Sequence, residues 1–243
     1  MPDKEEIKRN FSRSAPEYDR HAVLQAKMAD KLFAAVRGLN PERILDIGCG
    51  TGYLTRRLAE NFPRAKVLGI DIAPGMIEVA KEKEGGDNLV FRVGDGENLL
   101  FDKRSFDLVV SNASLQWMDA GKTARQVRRV LRPGGHFVFT TFGPQTLREL
   151  GEAGFRVNKY LSAGEMEKRL KKEKFKPIFC EARVKRQKFD SLSALILYLK
   201  KIGARSRVKG AKPDGRVLKS YRKGESPLKV SFEVITGHFT AFE

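Results

Sequence analysis

At 243 residues, 41% of them hydrophobic, the chain is long enough for one α/β domain with an insertion and a sizeable buried core. No apolar run is long enough to span a bilayer, and the charged stretch 1–10 lacks the apolar core of a signal peptide. The net charge of +17 is confined to one part of the chain: residues 156–230 hold 23 Lys and Arg against 7 Asp and Glu, the remainder 24 against 23.

That asymmetry predicts an acidic partner, whether nucleic acid, anionic lipid or an acidic protein. Of the two cysteines, Cys49 sits inside a glycine-rich loop and Cys180 is remote from it. A disulfide framework is therefore not expected, and a reducing, cytoplasmic compartment is.

Residues 1–40 read as helical segments that form an N-terminal lid. Leu24, Met28, Leu32 and Val36 recur at helical spacing and give one apolar stripe, with Gly38 and Pro41 marking its exit. Upstream, residues 11–22 are polar, aromatic and poorly periodic. Tyr18 in that stretch suits either core packing or a lid over a ligand mouth.

Residues 44–47 read as a short buried strand. Gly48, Gly50 and Gly52 follow at alternate positions, and residues 53–59 suit a helix. Strand, glycine turn and helix together predict a nucleotide-cofactor site, because glycine lets a ligand approach the backbone and the helix start offers unpaired N–H groups. A dinucleotide site wants Gly-x-Gly-x-x-Gly, and Tyr53 stands where the third glycine would be. The spacing, with Asp46 before it, resembles motif I of S-adenosylmethionine-dependent methyltransferases. That ligand carries an ammonium, which an acid such as Asp46 would suit.

A second strand over 66–71 ends on Asp71, nineteen positions after Gly52. An acid at that tip accepts from ribose hydroxyls in Rossmann-like folds. The alternative is a cap for the helix that begins near Pro74. Ile72 and Met76 would flank the ribose and adenine. A third strand over 89–93 leads to Gly94, Asp95, Gly96 and Glu97, where Asp95 is preferred to Glu97 as acceptor for the adenine amino group.

A fourth strand over 106–112 ends at Asn112 and runs into a loop with Gln116 and Trp117, at a strand end where open α/β sheets bind ligands. A structural role for the buried tryptophan is the alternative. A helix over 123–131 stops at Arg132-Pro133-Gly134-Gly135, and a fifth strand follows over 136–142. This alternation predicts a parallel sheet with helices on both faces. His136 reads as structural, and His21, His136 and His238 show no metal-ligand spacing.

Residues 147–160 and 162–174 look helical, and 176–187 looks like a strand. Residues 189–203 form a capped amphipathic helix with Leu192, Leu195, Ile196, Leu199 and Ile202 as its stripe. Residues 204–227 read as a basic loop. Residues 228–241 complete a seven-stranded, mostly parallel sheet of the Rossmann-like class I methyltransferase type. The chain then divides into a lid (1–40), a cofactor core (41–145), a basic substrate region (146–227) and a final strand (228–243) within one domain.

The chain as a whole resembles the malonyl-acyl-carrier-protein O-methyltransferases of biotin synthesis. The specific stretches are Phe11-Ser12 through Tyr18-Asp19, Leu115-Gln116-Trp117, and the helix from Phe189-Asp190-Ser191 to Gly203-Ala204. The resemblance implies methyl transfer from S-adenosylmethionine to the free carboxylate of a malonyl thioester on an acidic acyl carrier protein, or on coenzyme A. Tyr18 would aim the carboxylate, with Gln116 and Trp117 shaping the pocket. Asp46, Gly48, Gly50, Gly52, Asp71, Ile72, Met76, Asp95, Gly96, Glu97 and Asn112 would hold the donor. No metal and no membrane are implied. Two alternatives are a carboxyl methyltransferase for a small polyacid such as trans-aconitate, and an RNA methyltransferase or nucleic-acid-binding protein. The basic segment lacks the regular aromatic interleaving that the last would want.

Overall fold

Ile44, Leu45 and Ile47 have no exposed surface, because the strand they form, β1 (Arg43–Ile47), lies inside the sheet with helices on both faces. This computed structural model describes residues 3–83, 86–155, 157–204 and 228–242. The other strands are β2 (Lys66–Asp71), β3 (Leu89–Val93), β4 (Phe106–Asn112), β5 (Leu131–Phe142), β6 (Phe175–Phe189) and β7 (Leu228–Ala241). Their order is β3-β2-β1-β4-β5-β7-β6. The first five run parallel, while β7 pairs antiparallel with both β5 and β6. Strand order reverses between β1 and β4, so the loops leaving those strands diverge and open a crevice.

The helices are α1 (Lys4–Ser14), α2 (Tyr18–His21), α3 (Val23–Val36), α4 (Tyr53–Asn61), α5 (Pro74–Glu82), α6 (Ala120–Val130), α7 (Arg148–Glu152), α8 (Ala163–Lys172) and α9 (Leu192–Lys201). Short 3₁₀ turns cover Ala15–Glu17 and Leu115–Trp117. The predicted stripe Leu24, Met28, Leu32 and Val36 is buried, and α3 and α4 pack on one face of the sheet with Ile44, Val67 and Phe91. Helices α6 and α8 cover the other face against Phe137, Phe139 and Phe239. A third cluster joins α1 and α9 to β7 through Leu195, Leu199, Val230 and Phe232.

Three expectations change. First, β5 begins at Leu131 rather than His136. The pairing jumps from Phe106–Leu131 to Leu108–His136, so Arg132 to Gly135 form a bulge inside the strand, with Gly134 at φ +75°. Second, the helix expected over 147–160 is only α7. Leu147 N donates to Ser231 O at 2.7 Å, and Glu149 accepts from Ser231 N at 2.9 Å and Oγ at 2.6 Å. Those bonds tie the segment to β7, and Gly154 at φ +83° turns it away. Third, Ile196 leaves the α9 stripe: it is 44% exposed, while Leu192, Leu195, Leu199 and Ile202 are buried. His136, read as structural, lies with its Nδ1 2.9 Å from His238 Nε2 on β7. Burial lowers the pKa of both rings, His238 to about 4, so the pair is neutral near pH 7. The basic loop expected over 204–227 lies, beyond Ala204, outside the described residues.

Candidate functional site

Gly48, Gly50 and Gly52 take φ of +70°, +55° and +82°, a left-handed sequence that side chains resist. A Cβ on Gly48 would lie 2.4 Å from Ser114 Cβ, so only glycine lets the loop after β1 meet the loop after β4. The same junction is tied by Ser111 Oγ and Ser114 Oγ, which donate to Ile47 O at 3.0 and 2.9 Å. Gly52 caps the start of α4, where a Cβ would strike Phe91.

Asp71 ends β2 beside this loop. Its Oδ2 accepts from Gly50 N at 3.0 Å and its Oδ1 from Ala73 N at 2.9 Å. The cap-like bond considered from the sequence therefore exists, and the same carboxylate also lines a cavity. Burial raises its pKa, opposed by the N–H groups of Ala73, Gly50 and Ile72.

That cavity encloses about 670 Å³. It gathers Gly48, Gly50, Asp71, Ile72, Met76, Asp95, Gly96, Glu97, Asn112, Tyr18 and Trp117 from the sequence-predicted set. Asp46, Gly52 and Gln116 do not line it. Sequence reasoning missed Lys4, Ile7, Phe11 and Met118, which do. Lys4, Ile7 and Phe11 follow an i, i+3, i+7 pattern on α1, a signal that was available. Lys4 Nζ bonds Asp95 Oδ2 at 2.7 Å and Glu97 Oε2 at 3.0 Å, so α1 is fastened across the cavity's far end. Phe11 meets Trp117 edge to face at 5.2 Å.

Asp46 faces an adjoining cavity with Gly48, Cys49, Gly50, Thr51, Tyr18, Asp19, Gln25 and Asn112. It is 1% exposed and accepts from Thr55 Oγ1 at 2.7 Å. Burial raises its pKa to about 7, with the Thr55 bond opposing.

A third cavity is mostly apolar. Phe142, Leu147, Leu199, Ile202 and Phe232 line it with Tyr18, Gln25, Gln116, Trp117, Thr146 and Tyr160, and its described lining contains no Lys or Arg. Gln116 is fixed as wall: its Oε1 accepts from Thr141 Oγ1 at 3.0 Å and its Nε2 donates to Ala113 O at 2.5 Å. Tyr18 borders all three cavities. Burial first, then the Asp71 carboxylate, pushes its phenol pKa well above the ordinary value, so the hydroxyl stays protonated and able to donate.

A polar two-part cleft on a glycine loop, meeting an apolar chamber at Tyr18, can hold a zwitterionic nucleoside against an acyl substrate. Among the described residues no group of three or more His, Cys, Asp or Glu could hold a metal ion, and no helix is long and apolar enough to cross a membrane.

The methyltransferase domain family matches residues 45–139, the span from β1 into β5. A malonyl-[acyl-carrier protein] O-methyltransferase of Methylococcus capsulatus is 37% identical over 84% of this chain and 78% of that protein. One so named in Nitrosospira multiformis is 33% identical over 97% and 88%. Among solved structures, geranyl diphosphate methyltransferase in complex with GPP and sinefungin shares the fold at TM-score 0.64 with 18% identity, covering 98% of each chain. The YcgJ protein of Bacillus subtilis does so at TM-score 0.65 and 17% identity, over 89% of this chain and 99% of that one.

Proposed function

The chain belongs to the malonyl-[acyl-carrier protein] O-methyltransferase family, and from that premise we propose how its residues transfer a methyl group from S-adenosylmethionine to the carboxylate of a malonyl thioester in biotin synthesis. The observation that carries the reading is the meeting of a polar glycine-loop cleft and an apolar chamber at Tyr18.

The adenosine occupies the cleft that Asp71 and Asp95 line. Asp71 accepts from both ribose hydroxyls, Ile72 and Met76 flank the ribose and the base, and Asp95 takes the adenine amino group. Gly96, Glu97 and Asn112 complete the walls. The methionine end enters the adjoining cavity, where Asp46 attracts its ammonium. The methyl then faces the apolar chamber, and Tyr18 donates to the incoming carboxylate while Trp117 and Gln116 shape its approach.

A carboxylate is ionised near neutral pH, so no general base is required. Its oxygen attacks the methyl carbon as the carbon–sulfur bond breaks, and the sulfonium charge and the carboxylate charge vanish together. Excluding water from that charge pair and aligning it supply the acceleration.

The thioester arrives on an acidic carrier protein that docks on the basic region. Strand β6 is the sheet's outer edge, and Arg183, Lys185, Arg186 and Lys188 are exposed on it. Lys185 pairs in register with Phe232, whose ring lines the chamber, so the charged edge and the chamber share one strand pair. Surface charge of this kind raises association rate and is screened by salt. Labelled methyl transfer is expected to malonyl-carrier protein and not to trans-aconitate or bulk tRNA. Raising salt from about 50 to about 500 mM should lower kcat/KM for the carrier protein roughly 10-fold, and for malonyl-coenzyme A much less. Equal salt sensitivity would remove the docking edge, and labelled tRNA would replace the reading with a nucleic-acid one.

The buried Asp46 carboxyl gives a pH signature. Its folded-state pKa is raised to about 7, so it loses charge as pH falls through that value. The ionised form attracts the donor's ammonium, so donor affinity should rise roughly 5- to 10-fold from pH 6.0 to 7.5, below the usual α-amino pKa. In Asp46→Asn the calorimetric affinity should be flat over that range. A wild-type profile equally flat would detach Asp46 from the donor.

A further inference from the structure

Gln25 was not singled out by its sequence context, yet it occupies a junction. It sits near the start of α3, is 8% exposed, and with Tyr18 borders both the adjoining cavity and the apolar chamber. Its backbone carbonyl accepts from Asn112 Nδ2 at 3.0 Å, and Asn112 Oδ1 accepts in turn from Thr140 Oγ1 at 2.6 Å. The residue is thus held to the ends of β4 and β5. Its side-chain Oε1 is buried and, among the described residues, meets no hydrogen-bond donor within bonding geometry.

A buried amide oxygen without a donor is destabilising, and a ligand that brings a donor removes the penalty. The methyl donor's α-ammonium has three N–H groups, and it enters the cavity that Gln25 borders. The carboxamide also carries two N–H groups of its own. On its other side lies a chamber for a carboxylate, with no Lys or Arg in the described lining. We propose that the Gln25 carboxamide binds both reactants, its oxygen accepting from the α-ammonium of the methyl donor and its nitrogen donating to the carboxylate of the acceptor. This rests on the methyl-transfer reading above. A neutral donor orients the carboxylate without an ion pair that would lower its nucleophilicity. One amide plane then fixes the two reacting groups relative to each other.

The competing role is structural. The buried Tyr198 hydroxyl interacts with the same carboxamide, so Gln25 could merely hold α9. The two roles separate in the full chain. In Gln25→Leu, affinity for S-adenosylhomocysteine, which keeps the ammonium, should fall about 10-fold by calorimetry, while 5′-methylthioadenosine, which lacks it, changes less than about 2-fold. Gln25→Glu should retain homocysteine-nucleoside binding but raise KM for the malonyl substrate more than about 10-fold, through like-charge repulsion. Tyr198→Phe should leave all three readings within about 2-fold.

Equal losses for both nucleosides, no loss for either, or an unchanged acceptor KM in Gln25→Glu would each overturn the proposal. So would Tyr198→Phe reproducing the effects of Gln25→Leu. If wild type transfers no methyl to the malonyl substrate, the functional reading fails, and the two-nucleoside comparison still decides the ammonium contact.

Discussion

Replacing Asp71 with alanine is expected to weaken S-adenosylhomocysteine binding by more than about 100-fold, effectively abolishing it in calorimetry. The carboxylate has two tasks. It would accept from both ribose hydroxyls, and hydrogen bonds to a charged acceptor contribute about 1.5–3 kcal/mol each, so losing two is worth two decades or more. It also fastens the glycine loop through Gly50 N and the start of α5 through Ala73 N. Alanine releases both amides inside a buried site, and the loop that must approach the ligand loses its anchor. Asp71→Asn keeps one neutral acceptor and should fall in between, about 10-fold weaker than wild type. Unchanged affinity in Asp71→Ala would remove the residue from the donor site. A fall in melting temperature with no change in affinity would reduce it to the loop-anchoring role alone.

For Tyr18→Phe, kcat should drop about 30- to 100-fold while donor affinity changes less than about 3-fold. The ring, which borders all three cavities, is retained; only the hydroxyl is lost. Burial keeps that hydroxyl protonated, so in the proposed mechanism it would serve as a fixed donor for the carboxylate as the two charges neutralise each other. Phenylalanine leaves the nucleophile free to turn within an apolar chamber, and the cost is one charge-assisted hydrogen bond. Undiminished turnover would make Tyr18 a wall residue. Equal losses in kcat and donor affinity would move it to the cofactor side.

Strands β2, β3, β4 and β7 span the residues read from the sequence, because each is a β-rich run that glycine, proline or polar residues bound on both sides. Most residues expected to hold the donor gather at one cleft for the same local reason: each lies within a few positions of a strand end. What escaped depends on contacts far apart in the chain. Nothing near Glu149 announces that its carboxylate holds Ser231, 82 residues on, and so stops a helix. His136 and His238 meet only because β5 and β7 are neighbours. Lys4 reaches Asp95 across 91 residues. Gln25 counts as one polar residue within an apolar stripe until the structure sets it between two cavities.

The position of β7 between β5 and β6 imposes a timetable on synthesis. Strand β6 leaves the ribosome before the neighbour that will join it to the sheet, since 38 residues separate Phe189 from Leu228. At about 5–20 residues per second, it waits roughly 2–8 s without a pairing partner. An unpaired β-rich segment in a nascent chain invites aggregation. The lysines and arginines exposed on that strand would then act as gatekeepers, keeping the waiting strand in solution until its mate arrives.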